Sequence, residues 1–258
     1  MKLVKAMAKD SMDIYSDART VDFYVAAQGL QRGEQKVFAK YIQQGSSILD
    51  IGVGGGRTTP YLSGCAGRYL GVDYADAMVQ ACRRRFPDLQ FATKDASNLD
   101  GLEDASFDVV VFSFNGIDCL PTHEMRSACL KSVRRVLRPG GVFIFSSHNA
   151  RVLFIKPDYE GADLIRRIWR TVRLARNLKL VVRQLRRSAF YKGSGYFVDS
   201  VHGGHLLYAT TPRLARQELS AHGFDVLESV DAVSSGESWT YTAPGYYYVA
   251  RKSDAAYA

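Results

Sequence analysis

Cysteine is scarce in this 258-residue chain: Cys65, Cys82, Cys119 and Cys129 are the only four, and none stands in a C-x-x-C pair. That excludes a zinc ribbon and a disulfide scaffold and points to reduced thiols in a cytoplasmic protein. Long apolar runs are missing too. No stretch approaches the roughly 20 residues needed to cross a bilayer. The first residues, MKLVKAMAKD, place charges where a secretion signal needs its apolar stretch, so a soluble intracellular protein is expected. There is no internal repeat or low-complexity tract, and no G-x-x-x-x-G-K-[ST] phosphate loop. With 47% apolar and 23% charged residues, the composition excludes disorder and suits a core that needs no metal or disulfide.

Charge is unevenly placed. The formal balance is +8, yet residues 151–193 hold twelve Lys and Arg against three acids, and the rest of the chain is neutral to within one charge. A basic segment is thus attached to a near-neutral body.

Within that body, β-rich runs alternate with helical ones. SSILDI (46–51), RYLGVD (68–73), LQFATKD (89–95), FDVVVFSF (107–114) and GVFIFSS (141–147) read as strands. Helical stretches lie between them, and the last, HEMRSACLKSVRRVL, is stopped by Pro139-Gly140-Gly141. Continuous apolar strands separated by helices imply a parallel sheet buried on both faces, an α/β doubly wound fold. FDVLESV and GYYYVARK (245–252) add two strands, giving a seven-stranded sheet. The expected organisation is an N-terminal helical lid (1–44, interrupted at Gly29 and Gly33), an α/β core (45–149), an inserted basic helical cap (150–210) and a closing helix and strand pair (211–258).

The strongest chemical signal is ILDIGVGGGRTT. Asp50 ends a strand, and Gly52, Gly54, Gly55 and Gly56 make the turn into a helix, where positive φ and close backbone approach are available. In doubly wound sheets ligands bind beyond the carboxyl ends of the strands, where this turn lies. The dinucleotide fingerprint G-x-G-x-x-G fails at its last position, which is Arg57. Arg57 is read either as a counter-charge for a ligand carboxylate or phosphate, or as a surface cap. Asp73 ends the second strand, 21 residues after Gly52, and suits both hydroxyls of a ribose. Asp95 ends the third strand, Phe114-Asn115 the fourth. Together these tips describe a pocket for an adenosine with a polar tail.

In these stretches (ILDIGVGGGRTT, GVDYADAM, KDASNL, FDVVVFSFNGID and RVLRPGGVFIFSSHN), residues 45–150 resemble the class I S-adenosylmethionine-dependent methyltransferases. The resemblance implies a Rossmann-like sheet with its last strand antiparallel and S-adenosyl-L-methionine as cofactor. It implies that the turn from Asp50 through Gly52, Gly54 and Gly55 to Gly56 cradles the methionine portion. Asp73, with Tyr74 and Met78 following it, would hold the ribose and line the adenine; Asp95-Ala96 would face adenine. Phe114-Asn115 would lie beside the reacting methyl. Tyr15 and Tyr24 suit a lid over the methionine end.

On the acceptor side the candidate catalytic groups are His148, just past the fifth strand, and His202 and His205 in SVHGGHLLY, with Asp118 and His123 beyond the fourth strand. No metal is expected, because an H-x-x-H pair without a third ligand is no site. The favoured reading is methyl transfer to oxygen or nitrogen of a small-molecule acceptor, such as a sugar or secondary metabolite. The basic segment leaves open a solvated cap, an anionic acceptor, peripheral contact with acidic lipid through a helix bearing Trp169, or RNA. RNA is disfavoured because no appended RNA-binding module is visible and the fourth-strand tip reads FNGI, not N/D-P-P-Y/F. A protein that binds the cofactor without catalysis is the remaining alternative.

Overall fold

A computed structural model describes residues 11–152, 182, 185–199, 205–233, 241 and 243–253. Helices α1 (Ser11–Ser16), α2 (Ala18–Ala26) and α3 (Arg32–Tyr41) precede strand β1 (Ser46–Ile51). Then follow α4 (Thr59–Cys65), β2 (Ala66–Asp73), α5 (Asp76–Arg85), β3 (Gln90–Thr93), β4 (Phe107–Phe112) and a 3-10 turn (Gly116–Cys119). Next come α6 (His123–Val136), β5 (Leu137–Asn149), α7 (Ser188–Lys192), β6 (Ser194–Asp199), β7 (His205–Thr210), α8 (Pro212–Ser220), β8 (Phe224–Asp231) and β9 (Gly245–Lys252).

Strands β3, β2, β1, β4 and β5 pair in parallel in that spatial order. β9 runs antiparallel beside β5 and in turn pairs antiparallel with β8, which completes the expected seven strands. Two more join them. Within 150–210, expected as a helical cap, the described residues 194–199 and 205–210 form a β6–β7 hairpin. β7 continues the far edge of β5 through His148 and Asn149, where the pairing with β9 ends. The run Tyr196–Val198 and the fully buried run His205–Thr210 are good strand formers that the charge of the preceding segment obscures.

Alternation along the strands builds two cores. Leu49, Val110, Phe143, Phe145 and Tyr248 face α6 and α8, which bring Leu130, Val133, Ala215 and Leu219. Ile48, Val109, Val111, Ile144, Tyr247 and Val249 face the other way, toward Val37 and Phe38 of α3 and Val79 of α5. Burying each such aliphatic or aromatic side chain contributes about 1.5–3 kcal/mol, so both sheet faces fix the register of the tips.

Helix ends follow local signals. Thr122 Oγ1 accepts from the Met125 N–H at 3.1 Å to start α6, Glu124 lies in its first turn, and Arg134 and Arg135 in its last. In the N-terminal segment, the chain breaks at Gly29, whose φ is +76°. Gly33, by contrast, lies inside α3: a Cβ there would sit 2.7 Å from the Tyr247 ring, so the glycine permits close packing instead of ending a helix. Among the described residues, no helix is long and apolar enough to cross a membrane.

Candidate active site

The β1–α4 turn is held from below. Asp50, fully buried, accepts from Thr58 Oγ1 at 2.9 Å and from the Tyr69 hydroxyl at 3.0 Å. Burial pushes its carboxyl up to about 7 against these hydrogen bonds. Above it, Gly52 and Gly54 adopt φ of +63° and +54°, which L side chains rarely reach. A Cβ on Gly55 would lie 2.4 Å from the backbone of Tyr24, so α2 rests directly on the turn. The Gly54 N–H donates to Asp73 Oδ2 at 2.9 Å, joining the turn to the tip of β2.

These tips open on a cavity of about 680 Å³. Gly52 and Gly54 line it from β1; Asp73, Tyr74 and Met78 from β2 and α5; Lys94, Asp95 and Ala96 from beyond β3; and Ser113, Phe114 and Gly116 from beyond β4. Asp73 is buried, and its Oδ1 accepts from the Ala75 N–H at 3.0 Å. Desolvation raises its pKa, and backbone N–H groups of Ala75, Gly54 and Tyr74 oppose the rise. Asp95 is exposed and its Oδ1 accepts from the Ser97 N–H at 2.8 Å, so it also shapes its own turn. Phe114 and Asn115 are consecutive non-glycine residues at φ +55° and +61°. Such strain persists where the surroundings impose it, and the Asn115 N–H is held by Ser146 Oγ at 2.7 Å.

The N-terminal helices close one side. Tyr15 and Tyr24 both line the cavity, with ring centroids 5.7 Å apart, and Tyr15 lies 5.9 Å from Tyr74 and 5.3 Å from His205. The Tyr15 hydroxyl is 3.4 Å from Cys119 Sγ. Burial raises the pKa of both phenols and pushes the Cys119 thiol up to about 11, so this wall stays neutral.

Arg57 does not line the cavity. Its Nη1 and Nη2 donate to Glu34 Oε2 and Oε1 at 2.6 and 2.5 Å, and Nη1 also reaches the Gly29 carbonyl at 2.9 Å. The reading of Arg57 as a ligand's counter-charge is corrected accordingly: its partner is a carboxylate of the chain itself. Glu34 is completely buried and also accepts from Ser113 Oγ at 2.5 Å and the Tyr247 hydroxyl at 2.8 Å. Burial alone would raise its pKa, but the hydrogen bonds and charge of Arg57 win and hold it below the usual range. Asp50, Gly55 and Asn115 likewise support the lining residues from behind and do not face the cavity.

Of His148, His202 and His205, His202 lies outside the described residues. His205 is buried on β7 against Tyr15. His148, partly exposed, lies within the paired part of β5, one residue before its end and not past it: its Nδ1 lies 2.8 Å and its backbone N 2.7 Å from Asp118 Oδ2, and its Nε2 lies 3.3 Å from Asn115 Nδ2. Asp118 is fully buried in the 3-10 turn, and His123 packs between Tyr196 and Tyr208 away from the cavity lining. Among the described residues, no group of three or more His, Cys, Asp or Glu could hold a metal.

Residues 48–141, which hold the glycine turn, Asp73 and the strand tips of this sheet edge, match the family model described as a methyltransferase domain. Over this stretch the chain resembles the class I S-adenosylmethionine-dependent methyltransferases. It is similar to a probable S-adenosylmethionine-dependent methyltransferase of Mycolicibacterium smegmatis, 38% identical over 43% of this chain and 40% of that one. It is also similar to a demethylmenaquinone methyltransferase of Staphylococcus saprophyticus, 35% identical over 40% of this chain and 45% of that one. Each match therefore spans less than half of the relative's length. Among solved structures, the fold resembles the 1,6-didemethyltoxoflavin-N1-methyltransferase of Burkholderia thailandensis, solved with 1,6-didemethyltoxoflavin and S-adenosylhomocysteine bound, at TM-score 0.59 and 19% identity over 98% of this chain and 90% of that one.

Two features of the site escape sequence reasoning. Glu34 sits on an amphipathic helix, where an acid ordinarily faces water. Its capping contact to the Gln31 N–H, at 2.6 Å, is the only local signal, and nothing in the sequence pairs it with Arg57. Leu206 enters the cavity wall because β7 docks on β5, pairing His148 with Ala209 and Asn149 with Thr210, partners far apart in sequence.

Proposed function

We propose that the protein is an S-adenosylmethionine-dependent methyltransferase acting on oxygen or nitrogen of a small-molecule acceptor. The observation that carries this is the Gly54–Asp73 hydrogen bond at the cavity edge: one carboxylate ties down the glycine turn and still presents free lone pairs to a ligand. The residues fit the cofactor. Gly52 and Gly54 offer backbone to the methionine portion, Asp73 accepts from the ribose hydroxyls, and Tyr74, Met78 and Ala96 flank the adenine with Asp95 at its amino edge. Bound there, S-adenosylmethionine supplies an electrophilic methyl on sulfonium, so the protein need only align the acceptor and exclude water.

A small acceptor is favoured because the cavity, about 680 Å³, is within the range of ligand pockets and is roofed by Tyr15, Tyr24 and Leu206. The rim is aromatic and apolar. Lys94 is the only cationic side chain among the described lining residues, and it donates to the Asp100 carbonyl at 2.5 Å, so a neutral ring compound suits this wall better than an anionic sugar. His148 is the acceptor-side base. The test is calorimetric titration with S-adenosylhomocysteine. Saturable one-to-one binding is expected, and absence of binding by folded protein would remove the proposal.

A further inference from the structure

We infer that Asp118 is a positioning residue that fixes His148 in the Nδ1–H tautomer, leaving the Nε2 lone pair to take the proton of an acceptor hydroxyl. Asp118 Oδ2 receives two contacts from His148, from the backbone N–H at 2.7 Å and from Nδ1 at 2.8 Å. A carboxylate accepts and does not donate, so Nδ1 carries the hydrogen. The other side of the ring agrees with this. Asn115 Nδ2, an amide donor, lies 3.3 Å from Nε2, a contact compatible with an unprotonated Nε2. That distance is long for a hydrogen bond, so Nε2 is only lightly engaged and an acceptor hydroxyl can displace the amide.

Asp118 is itself fixed. Its Oδ1 accepts from Ser147 Oγ at 2.7 Å and from Arg126 Nη1 at 3.2 Å, and Arg126 Nε donates to Glu218 of α8 at 2.8 Å. Asp118 and Arg126 are both fully buried. Cys119, Tyr196 of β6, Tyr208 of β7 and Tyr248 of β9 also face this charge, and burial raises the pKa of each, so all remain neutral. Arg126 is therefore the cation that balances Asp118 from α6. An element that buries two charges to hold one half-exposed imidazole is excessive for packing, and it matches what proton abstraction requires: a fixed ring with one free lone pair. As the acceptor's O–H bond breaks, its electron pair stays on oxygen to form the new bond to carbon, and the proton moves to Nε2. An amine acceptor, already nucleophilic when neutral, has less need of this device, so the dyad selects a hydroxyl.

The catalytic meaning rests on the methyltransferase reading, but the tautomer does not. It is read on the full-length protein without cofactor, by long-range 1H–15N correlation spectra of imidazole nitrogens above about pH 8, where an ordinary imidazole is neutral. The His148 signals are assigned from their loss in His148→Gln. In wild type, a protonated Nδ1 and an unprotonated Nε2 are expected. Asp118→Asn should move most of the population to the Nε2–H form, since an amide carbonyl no longer dictates the donor. Glu218→Gln, one partner further out, should keep the wild-type pattern. An Nε2–H imidazole in wild type would overturn the inference even if Asp118→Asn failed to fold. So would a folded Asp118→Asn protein whose His148 remained Nδ1–H. Either result would leave the S-adenosylhomocysteine titration unaffected.

Discussion

Arg57 and Glu34 form a two-pronged ion pair at 2.6 and 2.5 Å, beneath the glycine turn and against the tip of β4. It ties three separate parts of the chain together: α3, the β1–α4 turn and, through Ser113, the cavity wall. Removing one partner of a buried pair strands the other charge. Glu34→Met should therefore lower stability by about 3–5 kcal/mol, and Arg57→Met/Glu34→Met together should cost much less than the two single Met changes added. Urea unfolding of the three variants decides this.

Two buried carboxylates make stability depend on pH with opposite signs. Burial raises Asp50 from an ordinary 3.8 to about 7, so its proton is held more tightly when folded. Its stabilisation is complete below 3.8 and is lost as the pH rises through about 7. Glu34 is held below its ordinary 4.5, so its contribution is present above 4.5 and is lost as the pH falls through its lowered value. Asp50→Asn should flatten the decline in urea midpoint between about pH 4 and 7, whereas Glu34→Gln should flatten only the acid side.

Gly55→Ala places a methyl against the Tyr24 backbone, which has no flexible end to yield. The lid helix α2 should lift while the sheet stays intact. Hydrogen exchange across 18–26 should accelerate and S-adenosylhomocysteine affinity should fall. Unchanged exchange there would show that the turn, and not the lid, absorbs the methyl.

His148→Ala should leave S-adenosylhomocysteine affinity within about 0.5 kcal/mol of wild type, because the imidazole stands off the cofactor lining. Calorimetry of the variant checks this, and a large loss of binding would make His148 a cofactor contact.

The sheet was legible because its strands are apolar on both faces and its turns carry glycine at left-handed positions. Gly52, Gly54, Asp73 and Met78 could be placed on the cavity from spacing and resemblance together. What stayed hidden depends on side chains meeting across the fold. Arg57 and Glu34 are 23 residues apart, Arg126 and Glu218 are 92 apart, and a charged residue on a helix gives no sign of facing inward. The hairpin β6–β7 was masked by a neighbouring run of arginines whose helical spacing dominates its region.

On the proposed function, the Asp73 carboxylate at the tip of β2 holds the cofactor's ribose. The direct test is S-adenosylhomocysteine affinity of Asp73→Ala against wild type, by calorimetry, with the fold of both checked by circular dichroism. Losing hydrogen bonds to a buried charged acceptor should weaken binding between about fivefold and a hundredfold. A folded variant that binds as tightly as wild type would contradict the account.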